Sequence, residues 1–211
     1  MKKLSYSLAL VLLVLASCSS KYLTSYTNVS QERKSYDKIL IVAIAKDLTA
    51  RIRFENQVVS DFAAAGVNAS SSIDVIKKES FDKKLTEAEI DQLRSTIKRA
   101  GYDGILITNL IDSSQYTDVI PGNNTTAYYP ARYGRFGRYY SYYPVNYWEP
   151  DQVVTGVKYT LESVLYDLRV ADTDNLQWVG RFLLKDPSSI STVVAKYSEE
   201  LVTALMESSI Q

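Results

Sequence analysis

Two short apolar runs dominate the first half of the chain, at residues 39–45 and 105–111. Both are continuous and rich in branched side chains, which is typical of strands buried on both faces, as in a parallel sheet. A less apolar segment at residues 67–76 contains three serines and predicts a third strand nearer an edge. We therefore expect Ile41 and Ile107 to be deeply buried on adjacent parallel strands.

A helix is predicted between the strands at residues 39–45 and 67–76, because residues 50–65 place apolar side chains at helical spacing. Asp47 or Thr49 can cap this helix, and Gly66 can end it. Arg51 and Glu55 lie four positions apart on the face opposite the apolar one, where we expect them to pair weakly. The apolar face consists of Ile52, Val59, Phe62 and Ala63.

A second helix is predicted where residues 86–89 read Thr-Glu-Ala-Glu, which matches a capping box. It ends at Gly101 and turns Ile90, Leu93 and Ile97 inward. The order to this point is β-α-β-α-β, and right-handed crossovers should make its three strands parallel.

The last third of the chain predicts a hairpin followed by a helix. Alternation over residues 153–171 indicates a long strand whose phase changes near Ser163, which suggests a bulge. Residues 172–175 are a turn cluster, and residues 176–184 are the return strand. The complete order, β-α-β-α-β-loop-β-β-α, predicts one α/β (α+β) domain with a mixed sheet and helices packed mainly on one face. Residues 186–189 cap the last helix, whose apolar face is Ile190, Val193, Val194, Tyr197, Leu201 and Leu205.

The first 18 residues have the pattern of an export signal. Lys2 and Lys3 precede an apolar run at residues 4–15, and small residues lead to Cys18, the one cysteine of the chain. The run is too short to span a membrane, which needs about 20 residues. We predict a signal peptide over residues 1–17, a flexible tether over 18–36 and a single globular domain over 37–211. As a flexible coil, the tether would average roughly 25 Å and hold the domain off a membrane.

Residues 15–18, Leu-Ala-Ser-Cys, resemble the lipobox of bacterial lipoproteins. The resemblance implies cleavage before Cys18, a diacylglycerol on its sulfur and a further acyl chain, such as palmitate, on the new amino group. An ordinary secretory signal with an incidental cysteine is the alternative. Ser19, where an aspartate would favour inner-membrane retention, favours the outer membrane. Since residues 19–21 lack an acidic cluster, we favour the periplasmic face over the cell surface.

Charge and composition narrow the function. The chain has 24 basic and 24 acidic residues and no histidine. Removal of the signal peptide takes two lysines and no acid, which leaves 24 − 2 = 22 basic against 24 acidic residues. This balance argues against nucleic acid as a partner. The lack of histidine excludes Ser-His-Asp and Cys-His catalysis and imidazole zinc sites, so we expect no enzyme, no metal and no cofactor.

Two acidic pairs have ordinary interpretations. Asp172 and Asp174 lack the further ligands, the glycine and the closing glutamate of an EF-hand loop, and belong to a hairpin turn. Glu162 and Asp167 have opposite parity on one strand, and nothing places them across a cleft as glycoside hydrolysis requires. A carboxylate-based hydrolase is therefore the least favoured function.

Residues 121–150, named here the Tyr/Arg-rich segment, interrupt the regular pattern with eight tyrosines, two other aromatic residues and three arginines. Prolines and glycines exclude a long helix, so we predict a long exposed loop or loose hairpin. Tyrosine gives contact area at low entropic cost, and arginine adds cation–π contacts and forked hydrogen bonds. Tyrosines folded over the sheet, or a disordered low-complexity insert, are the alternatives. The candidate binding residues are Tyr128, Tyr129, Arg132, Tyr133, Arg135, Phe136, Arg138, Tyr139, Tyr140, Tyr142, Tyr143, Tyr147 and Trp148.

The element order, with Arg51, Glu55 and residues 101–104, is similar in topology to the amino-terminal domain of TolB and to the curli-secretion lipoprotein family. It also resembles small envelope lipoproteins of uncharacterised function. The resemblance covers residues 36–210, implies an accessory envelope role without catalysis, and carries over no functional residue. We predict a non-catalytic, lipid-anchored protein that binds another envelope protein or a cell-wall glycan through the Tyr/Arg-rich segment. Self-association of a surface or assembly protein through this segment is the alternative, and the oligomeric state stays open.

Overall fold

The structure is a computed structural model, and it describes residues 21–30, 32–45, 47–76, 85–131, 141–170 and 174–211. The described residues form eight strands and three helices. In chain order these are β1 Leu23–Asn28, β2 Ile39–Ile44, α1 Leu48–Ala64, β3 Ala69–Ser71, α2 Glu87–Arg99, β4 Gly104–Ile120, β5 Asn124–Ala131, β6 Ser141–Trp148, β7 Gln152–Asp167, β8 Leu176–Lys185 and α3 Ile190–Ser208.

Six of the strands form one mixed sheet in the order β1-β8-β7-β4-β2-β3. β2 is parallel to both β3 and β4, as the apolar runs predict, and β1 is antiparallel to β8. The short, serine-containing strand β3 lies at an edge, where its polar composition is tolerated. The predicted α+β domain with a mixed sheet and helices packed against it is therefore confirmed.

Both faces of β2 are buried, and each face packs against a different helix set. Ile39 and Ile41 belong to a core that includes Phe62 of α1 and Leu201 of α3. Their neighbours on β2 belong to a second core, which includes Ile97 of α2. Two helices thus share one face of the sheet, and α2 packs on the other.

The parallel pairing of β2 and β4 corrects one burial prediction. Ile41 is 1% exposed, as expected, but Ile107 is only half-buried. Leu106, not Ile107, lies opposite Ile41 in the register, and Leu106 is fully buried in the same core. The apolar run predicts the strand, but the register decides which of its residues reaches the centre.

The helix ends follow the predicted signals. The Asp47 carboxylate accepts from the Ala50 amide at 3.0 Å, and Thr86 and Glu89 form the expected capping box. Gly66 and Gly101 have φ of +80° and +84°, so each ends its helix in a conformation that favours glycine.

Two residues predicted to face the core from α2 and α3 do not reach it, and Ala63 of the predicted apolar face of α1 is also exposed. Ile90 is 45% exposed and Ile190 is 51% exposed. Each lies in the first turn of its helix, α2 or α3. The buried stripe of each helix begins after its first turn. The predicted helical spacing is therefore right, but the predicted burial of the first-turn residue is wrong.

The segment predicted as a tether at residues 18–36 contains ordered structure. β1 pairs along the β8 edge, with Tyr26 opposite Gly180, and the Tyr26 ring stacks on Trp178 at a centroid distance of 6.1 Å. The Glu200 carboxylate accepts from the amides of Tyr22 and Leu23 at 2.7–3.1 Å. The described domain therefore begins near residue 22. The β8 edge and the Trp178 ring, both distant in sequence, hold the polar segment that forms β1.

Residues 113–158 form a second compact unit, separate from the unit of residues 21–112 and 159–211. Within it, β5 and β6 are an antiparallel two-stranded sheet whose pairs run from Asn124–Trp148 to Ala131–Ser141. The Tyr/Arg-rich segment thus contains a hairpin, one of the two forms predicted for it. None of the helices in the described residues has the length and apolarity to cross a membrane.

Candidate functional site

Some of the predicted binding residues lie in the strands β5 and β6, and the others lie outside the residues that the structure describes. Tyr129 of β5 lies opposite Tyr143 of β6, and Tyr142 lies opposite Pro130, so the hairpin brings tyrosine positions from its two strands together. Tyr147 and Trp148 end β6. Outside the described residues lie Cys18, Arg132, Tyr133, Arg135, Phe136, Arg138, Tyr139 and Tyr140.

Exposed apolar side chains gather at the base of this hairpin. We name this set the junction patch: it lies where β4 passes into β5 and β6 passes into β7. Trp148 is 75% exposed, Val153 66%, Val119 57% and Ile120 52%, and Tyr147 is 46% exposed. Isolated exposed apolar residues are ordinary, whereas larger apolar surfaces are typical of contact sites. Val119 and Ile120 are consecutive on β4, and Tyr147 and Trp148 are consecutive on β6, so each side of the two strands carries part of this set.

Two hydrogen bonds join the β4–β5 connection to the β6–β7 connection at the junction patch. The Gly122 amide donates to the Asp151 carboxylate at 2.8 Å, and the Glu149 amide donates to the Asn123 carbonyl at 3.2 Å. Gly122 is required there, because a Cβ at this position would lie 1.6 Å from the Glu149 carbonyl oxygen. The patch is therefore built on a fixed frame.

A cavity of about 180 Å³ lies in the other unit, at the carboxyl end of β2 and beside Thr108, Asn109 and Leu110 in the first half of β4. Ile44 and Leu110, at 40% and 46% exposure, are among its lining residues. Most of the remaining lining is apolar and includes Phe54, Leu161, Leu184, Val193 and Val194.

A buried polar cluster stands beside this cavity. Arg51 Nε lies 2.9 Å from Glu55 Oε1, and the two side chains are 2% and 0% exposed. Glu55 also accepts from the Ala43 and Ser72 amides and from the hydroxyls of Ser71 and Ser72, at 2.6–2.9 Å. The carboxylate has five donors, so it links α1 to β2 and β3 and is not available as a base.

Three hydroxyls form a second buried chain. Ser163 Oγ lies 2.6 Å from Thr108 Oγ1 and 2.9 Å from Tyr197 Oη. Thr108 and Tyr197 also line the cavity. Burial raises the pKa of Tyr197 well above its ordinary value, although the hydrogen bonds from Ser163 and Thr108 oppose this shift. Tyr197 is therefore a neutral hydrogen-bonding group at physiological pH.

A charged cluster occupies the opposite end of the central strands. The Arg169 guanidinium contacts Asp167 at 2.9 Å and Asp103 at 3.5 Å, and Lys34 Nζ lies 3.3 Å from Asp167. Burial alone would raise the pKa of Asp167, but hydrogen bonds from Arg169 and Lys34 hold it below its usual value. The guanidinium stands 5.0 Å from the centre of the Tyr36 ring. This cluster ties the segment before β2 to the end of β7.

Glu162 and Asp167, the two acidic residues considered for glycoside hydrolysis, each form an ion pair with a basic side chain. Glu162 accepts from Arg181 Nε at 2.9 Å, and Asp167 belongs to the charged cluster just described. In the part of the chain that the structure describes, no group of three or more Cys, His, Asp or Glu side chains could hold a metal ion.

The cavity and its polar neighbours were not found from the sequence. The prediction that Arg51 and Glu55 pair weakly on the face opposite the apolar one is wrong about their place, because both side chains are buried. One signal was available: Glu55 lies within reach of a serine-rich strand, and the serines of residues 70–72 are poor core residues unless they hydrogen-bond. Thr108, Ser163 and Tyr197 come from three separate segments, so no local pattern joins them.

No protein-family model matches the chain, and no curated protein matches it. Among solved structures, it is similar to the PelC dodecamer from Paraburkholderia phytofirmans, with a TM-score of 0.46 and 9% identity, over 89% of this chain and 97% of that one. A point variant of the same dodecamer matches with a TM-score of 0.45 and 10% identity, over 89% and 99%. Lipoprotein GNA1162 from Neisseria meningitidis matches with a TM-score of 0.40 and 13% identity, over 81% and 99%. These similarities concern the arrangement of the chain alone.

Proposed function

We propose that this protein is a non-catalytic, lipid-anchored protein of the bacterial envelope that binds another envelope component, a protein or a cell-wall glycan, through the Tyr/Arg-rich segment. The observation that carries the proposal is the junction patch, in which Tyr147 and Trp148 belong to this segment and Val119, Ile120 and Val153 flank it. Four of its side chains, Trp148, Val153, Val119 and Ile120, are more than half exposed. Exposing them to water is unfavourable, and burial against a partner would recover about 25 cal/mol per Å² of apolar surface.

The chemistry of the segment suits recognition. A tryptophan and tyrosines present flat rings that pack on protein side chains or on sugar rings. The three arginines of the segment, at positions 132, 135 and 138, would add charge-assisted hydrogen bonds to a partner. Such a surface binds without catalysing a reaction.

The buried polar groups support a role without catalysis. Glu55 is saturated with donors, Asp167 is paired with two cations, and Tyr197 is held neutral. Catalytic acids and bases need a pKa near the working pH and a partner that leaves them free to exchange a proton. These groups serve packing and positioning instead.

The envelope location is part of the proposal and rests on the lipobox-like residues 15–18 and the signal-like residues before them. An acylated Cys18 would anchor the protein in the outer membrane, with the domain on the periplasmic side. Two or more acyl chains hold a protein on a membrane stably, whereas one chain alone does not.

Self-association through the Tyr/Arg-rich segment is the second candidate. The observation that favours it is the two-stranded sheet of β5 and β6, in which each strand has one paired neighbour among the described residues. An edge of this kind can accept a strand from a second copy.

A photo-crosslinking phenylalanine derivative at position 148, compared with the same residue at position 90, tests the proposal. Ile90 is a matched control because it is apolar, 45% exposed and in the other unit. We expect position 148 to crosslink to an envelope protein in intact cells, or to cell-wall sacculi when the purified protein is mixed with them. A product of twice the chain mass would instead favour self-association. Equal labelling from the two positions would contradict both functions.

Substitution of the arginines gives a second readout. Replacing Arg132, Arg135 and Arg138 with alanine should weaken capture of the crosslinked partner and reduce the sensitivity of that capture to salt. Ile90→Ser should leave capture unchanged, whereas Trp148→Ser should reduce it. Unchanged capture in both the arginine variant and Trp148→Ser would contradict recognition by this segment.

A further inference from the structure

The first strand leaves one edge of the six-stranded sheet open. Among the described residues β1 pairs with β8 alone, and it ends the strand order of the sheet. The Val29 amide donates to the Gln177 carbonyl at 2.8 Å, and backbone groups alternate in direction along a strand. The amides and carbonyls of Tyr26 and Asn28 therefore point away from β8, toward the open edge. Residues 23–28 contain no proline and no charged residue, which are features that usually keep such an edge from pairing.

One end of this edge is closed, and the rest is open. The Glu200 carboxylate accepts from the Tyr22 and Leu23 amides at 2.7–3.1 Å, so these two donors are not available to another chain. Lys196 Nζ lies 4.4 Å from the centre of the Tyr22 ring and covers the same end. Over residues 24–28, no side chain of the described residues bonds to the outward backbone groups. An added strand would therefore pair with this part of β1.

A groove of about 380 Å³ runs beside the open edge, between β1 and α3. Tyr26 is among the residues that line it from the strand, and Thr203 and Glu207 are among those that line it from the helix. Asn28 also faces α3, because its side-chain amide donates to the Ser208 carbonyl at 2.8 Å. Side chains that lie opposite each other in a strand pair share one side of the sheet. A strand added to β1 would therefore direct every second side chain into the groove.

The charges along the groove indicate which chain would fit. Lys21 and Lys196 line the closed end, whereas Glu207 lies at the open end, one residue before the carbonyl that binds Asn28. Glu207 is exposed, and it has no hydrogen bond or ion pair with the described residues. Because β1 carries no charge, a second copy that paired through its own β1 would leave this carboxylate without a cation. The groove therefore favours a different segment, one that brings a positive charge.

We propose that the β1 edge receives an extended segment of a partner protein, equal in length to residues 24–28, with a lysine or arginine that faces Glu207. Backbone hydrogen bonds to Tyr26 and Asn28 supply the pairing, and the charge pair selects the segment. This contact surface belongs to the unit of residues 21–112 and 159–211. It is therefore distinct from the Tyr/Arg-rich segment, which belongs to the other unit.

Synthetic heptapeptides test this inference on the purified, nitrogen-15-labelled full chain in lipid nanodiscs. The lysine peptide is acetyl-Thr-Val-Lys-Val-Lys-Val-Thr-amide, in which two lysines allow either register to place a cation at Glu207. The glutamate peptide has glutamate in place of both lysines. We expect the lysine peptide to shift the NMR signals of the Tyr26 and Asn28 amides saturably and to bind at least about threefold more tightly than the glutamate peptide.

Backbone pairing is tested on the peptide and on the protein. Lysine side chains that face α3 belong to residues whose amides point toward β1, so N-methylation of the lysines should abolish binding and N-methylation of the valines should not. Tyr26→Pro removes an outward amide proton, and proline is tolerated at such positions of an edge strand. Tyr26→Ala removes the same ring but keeps the amide, so it is the matched control. We expect the lysine peptide to bind Tyr26→Pro at least about fivefold more weakly than Tyr26→Ala. If Tyr26→Pro does not fold, the two N-methylated peptides test the same hydrogen bonds on the unmodified protein.

Charge reversal tests the selection. Glu207→Lys should make the glutamate peptide the tighter ligand, whereas Glu87→Lys, the same change at an exposed position of α2, should leave the original order. Trp148→Ser should not change peptide binding, so this inference and the proposed function can fail separately. Equal affinity for the lysine and glutamate peptides, or unchanged binding after N-methylation of the lysines, would overturn the inference. Protection of the Tyr26 and Asn28 amides that rises with protein concentration, without peptide, would assign the edge to a second copy and would also overturn it.

Discussion

Arg51 and Glu55, one helical turn apart on α1, form an ion pair that is almost fully buried, with 2.9 Å between Nε and Oε1. Their spacing predicts the ion pair but not its burial, since charged residues at this spacing usually lie on the solvent-exposed side of a helix. Four further donors offset the cost of burying the carboxylate: the amides of Ala43 and Ser72 and the hydroxyls of Ser71 and Ser72. The pair therefore fixes α1 to two strands at the end of the sheet that holds the cavity.

Removing one member of this pair should be costly. Arg51→Ala leaves the Glu55 charge buried without its cation, and we expect the free energy of unfolding to fall by about 3–5 kcal/mol. Arg53→Ala removes the same side chain from an exposed position of the same helix and should cost less than about 0.5 kcal/mol. Urea denaturation followed by circular dichroism measures both. Similar small losses in the two variants would show that the buried pair contributes little.

The contact between Trp178 and Gly180 predicts a second stability effect. A Cβ at position 180 would lie 2.1 Å from the Trp178 ring, which is fully buried. Gly180→Ala should therefore displace the ring and lower stability by about 1–3 kcal/mol. Displacement of the ring should also shift the tryptophan emission to longer wavelength, and acrylamide should quench this emission more readily. Ser25→Ala, at an exposed position of β1, is the control and should change neither quantity.

Asp167 should make stability depend on pH in the acidic range. Its folded-state pKa is lowered, chiefly because hydrogen bonds from Arg169 overcome the effect of burial. The unfolded chain therefore takes up a proton at higher pH than the folded chain. The stabilisation is complete above the unfolded pKa of about 3.9 and is lost as pH falls through the folded value. Asp167→Asn should show a smaller loss of melting temperature between pH 5 and pH 3 than the unmodified protein. An equal loss would assign the acid sensitivity to other carboxylates.

Cys18 should decide membrane attachment. We expect Cys18→Ser to leave the protein unprocessed or to release it from the membrane, because the sulfur that would carry diacylglycerol is gone. Fractionation of envelopes followed by immunoblotting measures both outcomes. A Cys18→Ser protein that still sediments with the outer membrane at its mature size would contradict lipid anchoring.

Deletion of the hairpin should separate binding from folding. Removing residues 124–148 joins Asn123 to Glu149, whose backbone carbonyl and amide are already 3.2 Å apart. We expect the melting temperature to change little, because shortening a loop alters its closure entropy by only about 0.6 kcal/mol per doubling. Association with the crosslinked partner should be lost. A much lower melting temperature would mean that the tyrosines serve the core.

The sequence predicts the elements whose signals are local. The apolar runs of β2 and β4, the Thr86–Glu89 capping box and the glycine that ends each early helix need only neighbouring residues, and the structure contains all of them. Register is less local. Ile107 lies opposite Val42 and is half-buried in the core on the α2 side of the sheet, whereas Leu106 lies opposite Ile41 and is fully buried on the other side.

Features that depend on distant partners could not be predicted in this way. Glu55 is buried because donors from β2 and from residues 71 and 72 surround it, and its own helix gives no sign of them. β1 has a polar sequence and becomes a strand because β8 offers an edge and Trp178 offers a ring. The cavity arises where α1, α3 and the sheet fail to meet completely, which is a property of the assembled fold.

The anchoring of β1 sets how far the domain can be from a bilayer. Glu200 holds the Tyr22 and Leu23 amides, so only three residues separate Cys18 from the first bonded amide. Four chain steps span at most about 14 Å, well short of the roughly 25 Å average of a free tether over residues 18–36. If Cys18 is acylated, the β1 edge of the sheet stays next to the lipid headgroups. The unit that contains β1 would then have little freedom to reorient relative to the membrane.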